Sequence, residues 1–254
     1  MTFTDKVVLI TGASSGIGAC TSGHFAKLNA KLALVGRNVD RLEEVAQQCI
    51  DKSGKKPLTI IADINVQTKE IIEKTIAHYG RLDVLVNVAG IGAPSSISRM
   101  NLDNFDKVMN TNVRSVYHLT ALAVPHLIES KGNVVNVSSV AGIRSFPYFL
   151  AYCVSKAALD QFTKCISLEL GPKGVRVNSV NPGVIMTNFH SNMGVNADAY
   201  QSYLEECKTS HSLGRVGQVD EVAEGIVFLA SDAARFITGT LLSIDGGKSN
   251  MCPR

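Results

Sequence analysis

An α/β fold with a doubly wound parallel sheet is predicted by three observations. Seven short runs rich in β-branched residues alternate with stretches of helical periodicity along the 254 residues. A glycine-rich turn joins the first run to the first helical stretch. No internal repeat, low-complexity tract or linker interrupts the rhythm, so 1–254 is expected to form one continuous domain.

Lys6–Thr11 is the first strand, and a helix follows to about Asn29. Between them lie Gly12, Ala13, Ser14, Ser15, Gly16, Ile17 and Gly18. Strand, glycine turn and helix form the context that a phosphate-binding loop needs. Gly12 permits the tight turn, Gly16 lets backbone approach a ligand, and Gly18 permits close helix packing. The helix N-terminus then offers unpaired N–H groups to a pyrophosphate. The spacing is TGxxxGxG, not GxGxxG.

Lys31–Gly36 is the second strand, and its end is where such a fold selects its dinucleotide. An acidic residue there would bond the ribose hydroxyls of NAD. This chain has Arg37, whose guanidinium suits a 2′-phosphate, so NADP(H) is expected over NAD(H), with NAD(H) possible. The bland alternative is a solvated loop charge, and Ser15 adds no second cation. Val39–Ser53 reads as an amphipathic helix ended by Gly54. Pro57–Asp63 is the third strand, with Asp63 placed to contact an adenine or to cap a turn. A helix over about Gln67–Tyr79 leads to the fourth strand, Leu82–Val86, and to Asn87, Val88, Ala89 and Gly90.

Leu102 to about Glu129 is helical in character, with Pro125 expected to end or bend it. Asn112 sits inside this stretch, as a packing amide or as a kink beside an active site. Asn133–Val137 is the fifth strand and runs into Ser138 and Ser139. A long helix near 151–171 precedes the sixth, Val175–Val180. Residues 186–212 are less regular, and read as an apolar loop or short helix pair that covers a pocket, or as a small satellite core. Val219–Ala230 is helical, and Thr240–Ile244 is the last strand.

Ser139, Tyr152 and Lys156 carry the chemistry. Tyr152 and Lys156 are i and i+4, on one helical face. A free phenol has a pKa near ~10. A neighbouring ammonium is expected to lower it, so that Tyr152 exchanges a proton with a substrate oxygen. Ser139 adds a hydroxyl to the same oxygen. From spacing alone, an amphipathic surface pair is the ordinary reading; the surrounding motifs reverse it.

Composition excludes several classes. Hydrophobic residues are 45% and charged residues 19%, an ordinary globular balance. A net charge of +3 without a Lys/Arg block gives no case for nucleic acid. No apolar run approaches the ~18 residues of a membrane span. The N-terminus goes directly into a strand, so no signal peptide and a cytoplasmic location are expected. Six cysteines scattered without CxxC pairs read as free thiols, with no metal site.

Taken in order, these motifs resemble the short-chain dehydrogenase/reductase family in its compact form, from Lys6 to Gly247. TGASSGIG at Thr11–Gly18, NVAG at Asn87–Gly90, Asn112, Ser139, YCVSK at Tyr152–Lys156 and NPGVIMT at Asn181–Thr187 carry the resemblance. Val88 departs from the family's second Asn. The resemblance implies a seven-stranded Rossmann fold and hydride transfer between a nicotinamide and a ketone, aldehyde or alcohol carbon. It implies Tyr152 as proton donor or acceptor, Lys156 as its partner on the nicotinamide ribose, Ser139 on the substrate oxygen, and Asn112 behind a proton-resupplying water chain. It also implies cofactor contacts at the Gly12–Gly18 loop, with Arg37 and Asn38, Asp63 and Ile64, and Asn87, Ala89 and Gly90. Pro182, Gly183, Ile185 and Thr187 complete that set. Ile91, Phe146, Phe149, Met186 and Phe189, with Ile143 and Met193 nearby, should line an apolar pocket beneath a covering segment at about 186–213. Such a lining suits a steroid-, lipid- or xenobiotic-like carbonyl. Arg144 would serve an acidic tail or be a solvated charge. A 3-oxoacyl thioester reductase is the alternative. A non-catalytic NADPH-binding regulator and a lyase or epimerase are the rivals from other classes. The family usually forms homotetramers through the two long helices.

Overall fold

The computed structural model describes residues 1–99, 101–189 and 197–251. Seven parallel strands form one sheet: β1 (Val7–Thr11), β2 (Lys31–Gly36), β3 (Leu58–Ile61), β4 (Val84–Asn87), β5 (Asn133–Val137), β6 (Arg176–Pro182) and β7 (Leu241–Ile244). Their order is β3-β2-β1-β4-β5-β6-β7. The strands between the edges are buried along almost their whole length, as continuous apolar runs must be when helices cover both faces.

On one face lie α1 (Gly16–Lys27), α2 (Val39–Ser53) and α8 (Val219–Ala230), burying Phe25, Leu42 and Ile226 against Val8, Ile10 and Leu34. On the other lie α3 (Thr68–Tyr79), α4 (Leu102–Met109), α5 (Ser115–Ser130) and α6 (Leu150–Leu170). There Ile71, Leu119, Leu127 and Leu170 close over Leu9, Leu85 and Val134. Because all strands run one way, their C-terminal ends share one edge of the sheet. The order reverses between β1 and β4, which opens a crevice at that edge.

The structure revises two sequence expectations and sharpens a third. The helix expected over 102–129 is α4 and α5 joined by one π-helical turn, Asn110–Arg114. Pro125 does not end it: α5 runs on to Ser130, held by the buried row Leu119, Ala123 and Leu127. That burial outweighs the single hydrogen bond a proline removes. The irregular 186–212 stretch contains a helix, α7 (Ala197–Ser210). It caps a small core of Val184, Leu204 and Cys207, with Tyr200, Tyr203 and Val216 packed on it.

At the opposite edge of the sheet, buried Asp83 accepts hydrogen bonds from the Val7 N–H and the Arg81 guanidinium and pairs with Lys6. Burial pushes its carboxyl up, but Arg81, the Val7 N–H and Lys6 outweigh burial and hold it below the usual range. A depressed carboxylate contributes stability that is present above its unfolded pKa and lost as pH falls through its folded value. Asp83→Asn is therefore expected to flatten the acid limb of a stability-versus-pH curve measured by thermal melting. An acid limb as steep as in the parent chain would rule this group out.

Candidate active site

The crevice holds a cavity of about 990 Å³. Gly12, Ser14, Ser15, Gly16 and Ile17 form one end, with Arg37, Asp63 and Ile64. Ala89, Gly90 and Ile91 after β4, and Pro182, Gly183, Ile185 and Thr187 after β6, line its middle. Ser139, Phe146, Phe149, Tyr152, Lys156 and Phe189 line the other end. Glycine keeps this cradle open. A Cβ on Gly12, which has φ +64°, would lie 2.9 Å from the Ala89 backbone. A Cβ on Gly90 would stand 3.3 Å from Asn112 Oδ1 and 3.5 Å from Lys156 Nζ. An elongated slot with a helix N-terminus at one end and hydroxyls at the other fits a nicotinamide dinucleotide.

Tyr152 and Lys156 project from the first turns of α6. Lys156 Nζ donates to the Val137 carbonyl at 2.9 Å and lies 5.6 Å from the centre of the Tyr152 ring. Ser139 follows β5 in extended backbone, and its hydroxyl accepts from the Ala141 N–H at 3.1 Å. The Phe189 ring sits 5.5 Å from that of Tyr152. Asn112, in the π-turn, accepts from the Ile91 N–H at 2.9 Å and donates to the Ile91 carbonyl at 2.8 Å and the Ser155 hydroxyl at 3.0 Å. The kinked reading of Asn112 therefore has a structural basis: the turn aims its amide at the loop after β4.

The phenol does not behave as spacing predicts. Burial pushes Tyr152 up to about 12, and the hydrogen bond with Ser139 pulls the other way without winning. Burial also brings Lys156 down to about 8, against the attraction of Asp160. For this partly buried ring, desolvation exceeds the effect of an ammonium that faces the ring and donates to a carbonyl.

Five expected residues lie outside the cavity wall. Gly18 sits behind Gly12, where a Cβ would collide with the Gly12 carbonyl. The Asn38 side chain caps α2 by accepting from the Arg41 N–H at 2.9 Å. Asn87 donates to Asn136 and Thr120 within the sheet layer. Asn112 is buried behind the Ile91 loop. Met186 turns into a neighbouring cleft, its sulfur accepting from Gln218 at 3.3 Å. Ile143 is exposed, and Met193 and Met100 lie outside the described residues. Arg144 is exposed, in keeping with a solvated loop charge, and donates to the Ser249 and Met251 carbonyls at 2.6 and 3.1 Å, tying its loop to the C-terminal segment. Asp63 Oδ1 closes a turn onto Asn65, while Oδ2 stands 3.7 Å from Arg37.

Sequence reading missed Asp160 and Asn181. The Asn181 amide donates to the Ser139 carbonyl and to the Asp160 carboxylate, locking the end of β5 to α6. It also missed Lys248 in the cavity wall, which donates to Ser210 at 2.7 Å and lies 5.7 Å over the Phe146 ring. No short-range pattern marks these residues, because their partners are 21 to 42 positions away for Asn181 and 38 for Lys248.

A family model described as enoyl-(acyl carrier protein) reductase matches residues 12–249. The 3-oxoacyl-acyl-carrier-protein reductase of Thermotoga maritima is 38% identical over 244 residues, 95% of this chain and 97% of that protein. This chain belongs to the short-chain dehydrogenase/reductase family. The L-xylulose reductase of Caenorhabditis elegans is 35% identical over 250 residues, 98% of this chain and 97% of that protein. A crystal structure of a short-chain dehydrogenase/reductase of unknown function from Caenorhabditis elegans, with cofactor, matches at TM-score 0.93 and 36% identity, covering 98% and 97% of the two chains. The chain is thus an oxidoreductase of the carbonyl/alcohol kind from a family that binds nicotinamide cofactors. Among the described residues, no helix is long and apolar enough to cross a membrane.

Asn112→Ala removes one acceptor and two donors from a buried site, leaving groups that cost ~1–3 kcal/mol each when unpaired. The expected outcome is a melting temperature several degrees lower and faster hydrogen exchange at the Ile91 amide. Unchanged melting and exchange would show that the amide is not what holds that loop.

Proposed function

We propose that this chain is an NADP(H)-dependent reductase of a largely apolar ketone or aldehyde, running reversibly to the alcohol. The observation that carries the reading is the convergence of Ser139, Tyr152 and Lys156 in one stretch of the cavity wall, with Lys156 Nζ 5.6 Å from the centre of the Tyr152 ring. The nicotinamide, when bound, supplies or takes up the hydride. Gly12, Gly16 and the first turn of α1 would hold its pyrophosphate. Asp63 and Ile64 flank the adenosine end, and Ile185 and Thr187 flank the nicotinamide end. Ser139 orients the substrate oxygen, and Tyr152 gives it a proton. A phenol kept protonated by burial is ready to donate, which suits the reducing direction. Lys156 binds ribose hydroxyls and steadies negative charge as it grows on the phenol oxygen. Asn112 holds the Ile91 loop, beside which proton-resupplying water would run. Fixing both reactants at these groups lowers the barrier through proximity and orientation.

Arg37 supports the NADP(H) preference. Its side chain is 72% exposed, lines the cavity, and stands just past the end of β2. Ile91, Phe146, Phe149 and Phe189 support an apolar substrate. Lys248 favours a second reading, a 3-oxoacyl thioester, because it places an ammonium within reach of a carbonyl or anionic group beyond the reacting carbon. Within the expected 186–213 cover, residues 190–196 lie outside the described residues, and α7 supplies Tyr203 to the cavity wall. Tyr117 on α5 and Val154 and Leu168 on α6 are exposed apolar groups, in keeping with a homotetramer joined through those helices.

Tyr152→Phe is expected to retain NADPH binding, measured by fluorescence titration, and to lose at least ~100-fold in turnover of any carbonyl the parent chain reduces. Near-parental turnover would remove Tyr152 from the chemistry. Arg37→Asp is expected to weaken NADPH relative to NADH by ~10-fold or more, the size of one lost charge-assisted contact. An unchanged affinity ratio would show that Arg37 does not discriminate.

A further inference from the structure

Behind the cofactor loop, on the α1–α8 face, lies a second cleft of about 440 Å³. Cys20, His24 and Asp220 meet in its wall. Cys20 and His24 are i and i+4 on α1, so both side chains leave the same face. Asp220 comes from the first turn of α8, 196 positions further along. Its Oδ1 lies 3.4 Å from Cys20 Sγ and 2.9 Å from His24 Nε2, and one ligand atom from each residue falls within 4.8 Å of the others.

We propose that Cys20, His24 and Asp220 bind one divalent transition-metal ion of the zinc class, which staples α1 to α8. Zinc takes sulfur at ~2.3 Å and imidazole nitrogen or carboxylate oxygen at ~2.0–2.2 Å, which sets the edges of its tetrahedron at roughly 3.3–3.7 Å. Two donor separations, 3.4 and 2.9 Å, are close to that scale and all three lie within 4.8 Å, so rotamer shifts complete three corners. The fourth corner opens on the cleft, where water can enter. Thiolate, imidazole and carboxylate together select zinc or cobalt over magnesium or calcium, which prefer all-oxygen shells. One thiolate and one carboxylate neutralise a divalent ion, so the bound site carries no net charge. Lys27 and Lys52 also line the cleft and oppose a bare cation, which the thiolate and carboxylate must offset. Gly16 and Thr187 border both this cleft and the large cavity, so an ion here would stiffen the turn from which α1 starts. The inference rests on none of the catalytic roles proposed above.

The test is a cobalt(II) titration of the chelator-stripped, reduced full chain, followed in the near-ultraviolet and visible. The expected result is a thiolate-to-cobalt charge-transfer band with tetrahedral d–d bands, saturating at one ion per chain and displaced by zinc. Cys20→Ser should abolish the band, and Asp220→Asn should weaken binding by more than the roughly tenfold cost of losing an outer-shell partner. Asp220 is exposed, so its variant reports on binding without a folding defect. Zinc should raise the melting temperature of the parent chain and not that of Cys20→Ser. No band at excess cobalt would overturn the site. So would a band that survives Cys20→Ser but is lost in Cys165→Ser, whose thiol is exposed elsewhere on α6. A parent melting temperature indifferent to zinc would overturn the staple.

Discussion

The buried amide of Asn112 ties three separate pieces of the chain into one frame. It grips both backbone groups of Ile91, just past β4, and the Ser155 hydroxyl on α6. An ordinary α-helical path through 110–114 would rotate this side chain away; the π-turn aims it inward. Ser155 is neighbour to Lys156, so the same contact fixes the height of the cation beneath Tyr152. A second lock, Asn181 with Asp160, holds Ser139 at the end of β5. Gly142 lets that turn approach α6, where any Cβ would meet the Asp160 carboxylate. The Ser139 and Tyr152 hydroxyls are thus positioned by rigid elements and by buried polar groups that are costly to leave unpaired.

Burial sets the chemistry of the site as much as placement does. It keeps the Tyr152 phenol protonated and lowers Lys156 to about 8, which leaves the ammonium charged at neutral pH. Partial removal from water raises the worth of each remaining hydrogen bond. The Ser139 hydroxyl then becomes the strongest local influence favouring the phenolate. That ordering could not be read from a Tyr and a Lys four residues apart, because spacing conveys adjacency and not desolvation.

Much of the fold was legible because its signals are local. The β-branched runs, the glycine turn before α1, and Gly54 and Gly80 at helix ends each act through their own backbone. The sheet and its seven strands fell where expected, while Gly18, Asn87 and Asn112 stand behind the cavity wall. What sequence left out depends on distant partners: Asp160 with Asn181, Lys248 with Ser210, and Arg144 with the C-terminal segment. Met186 illustrates the opposite failure. Its neighbours Ile185 and Thr187 line the cavity, but its own side chain lines the neighbouring cleft and bonds Gln218.

The central claim is net carbonyl reduction by a bound NADP(H). The direct measurement mixes the purified chain with NADPH, and separately NADH, across steroid ketones, retinal, 3-oxoacyl thioesters, diketones and small aliphatic ketones. Loss of reduced-nicotinamide absorbance is the readout. The account predicts turnover of at least one class, faster with NADPH. Tight NADPH binding with no consumption on any class would contradict it and return the fold to a regulator or to redox-neutral chemistry.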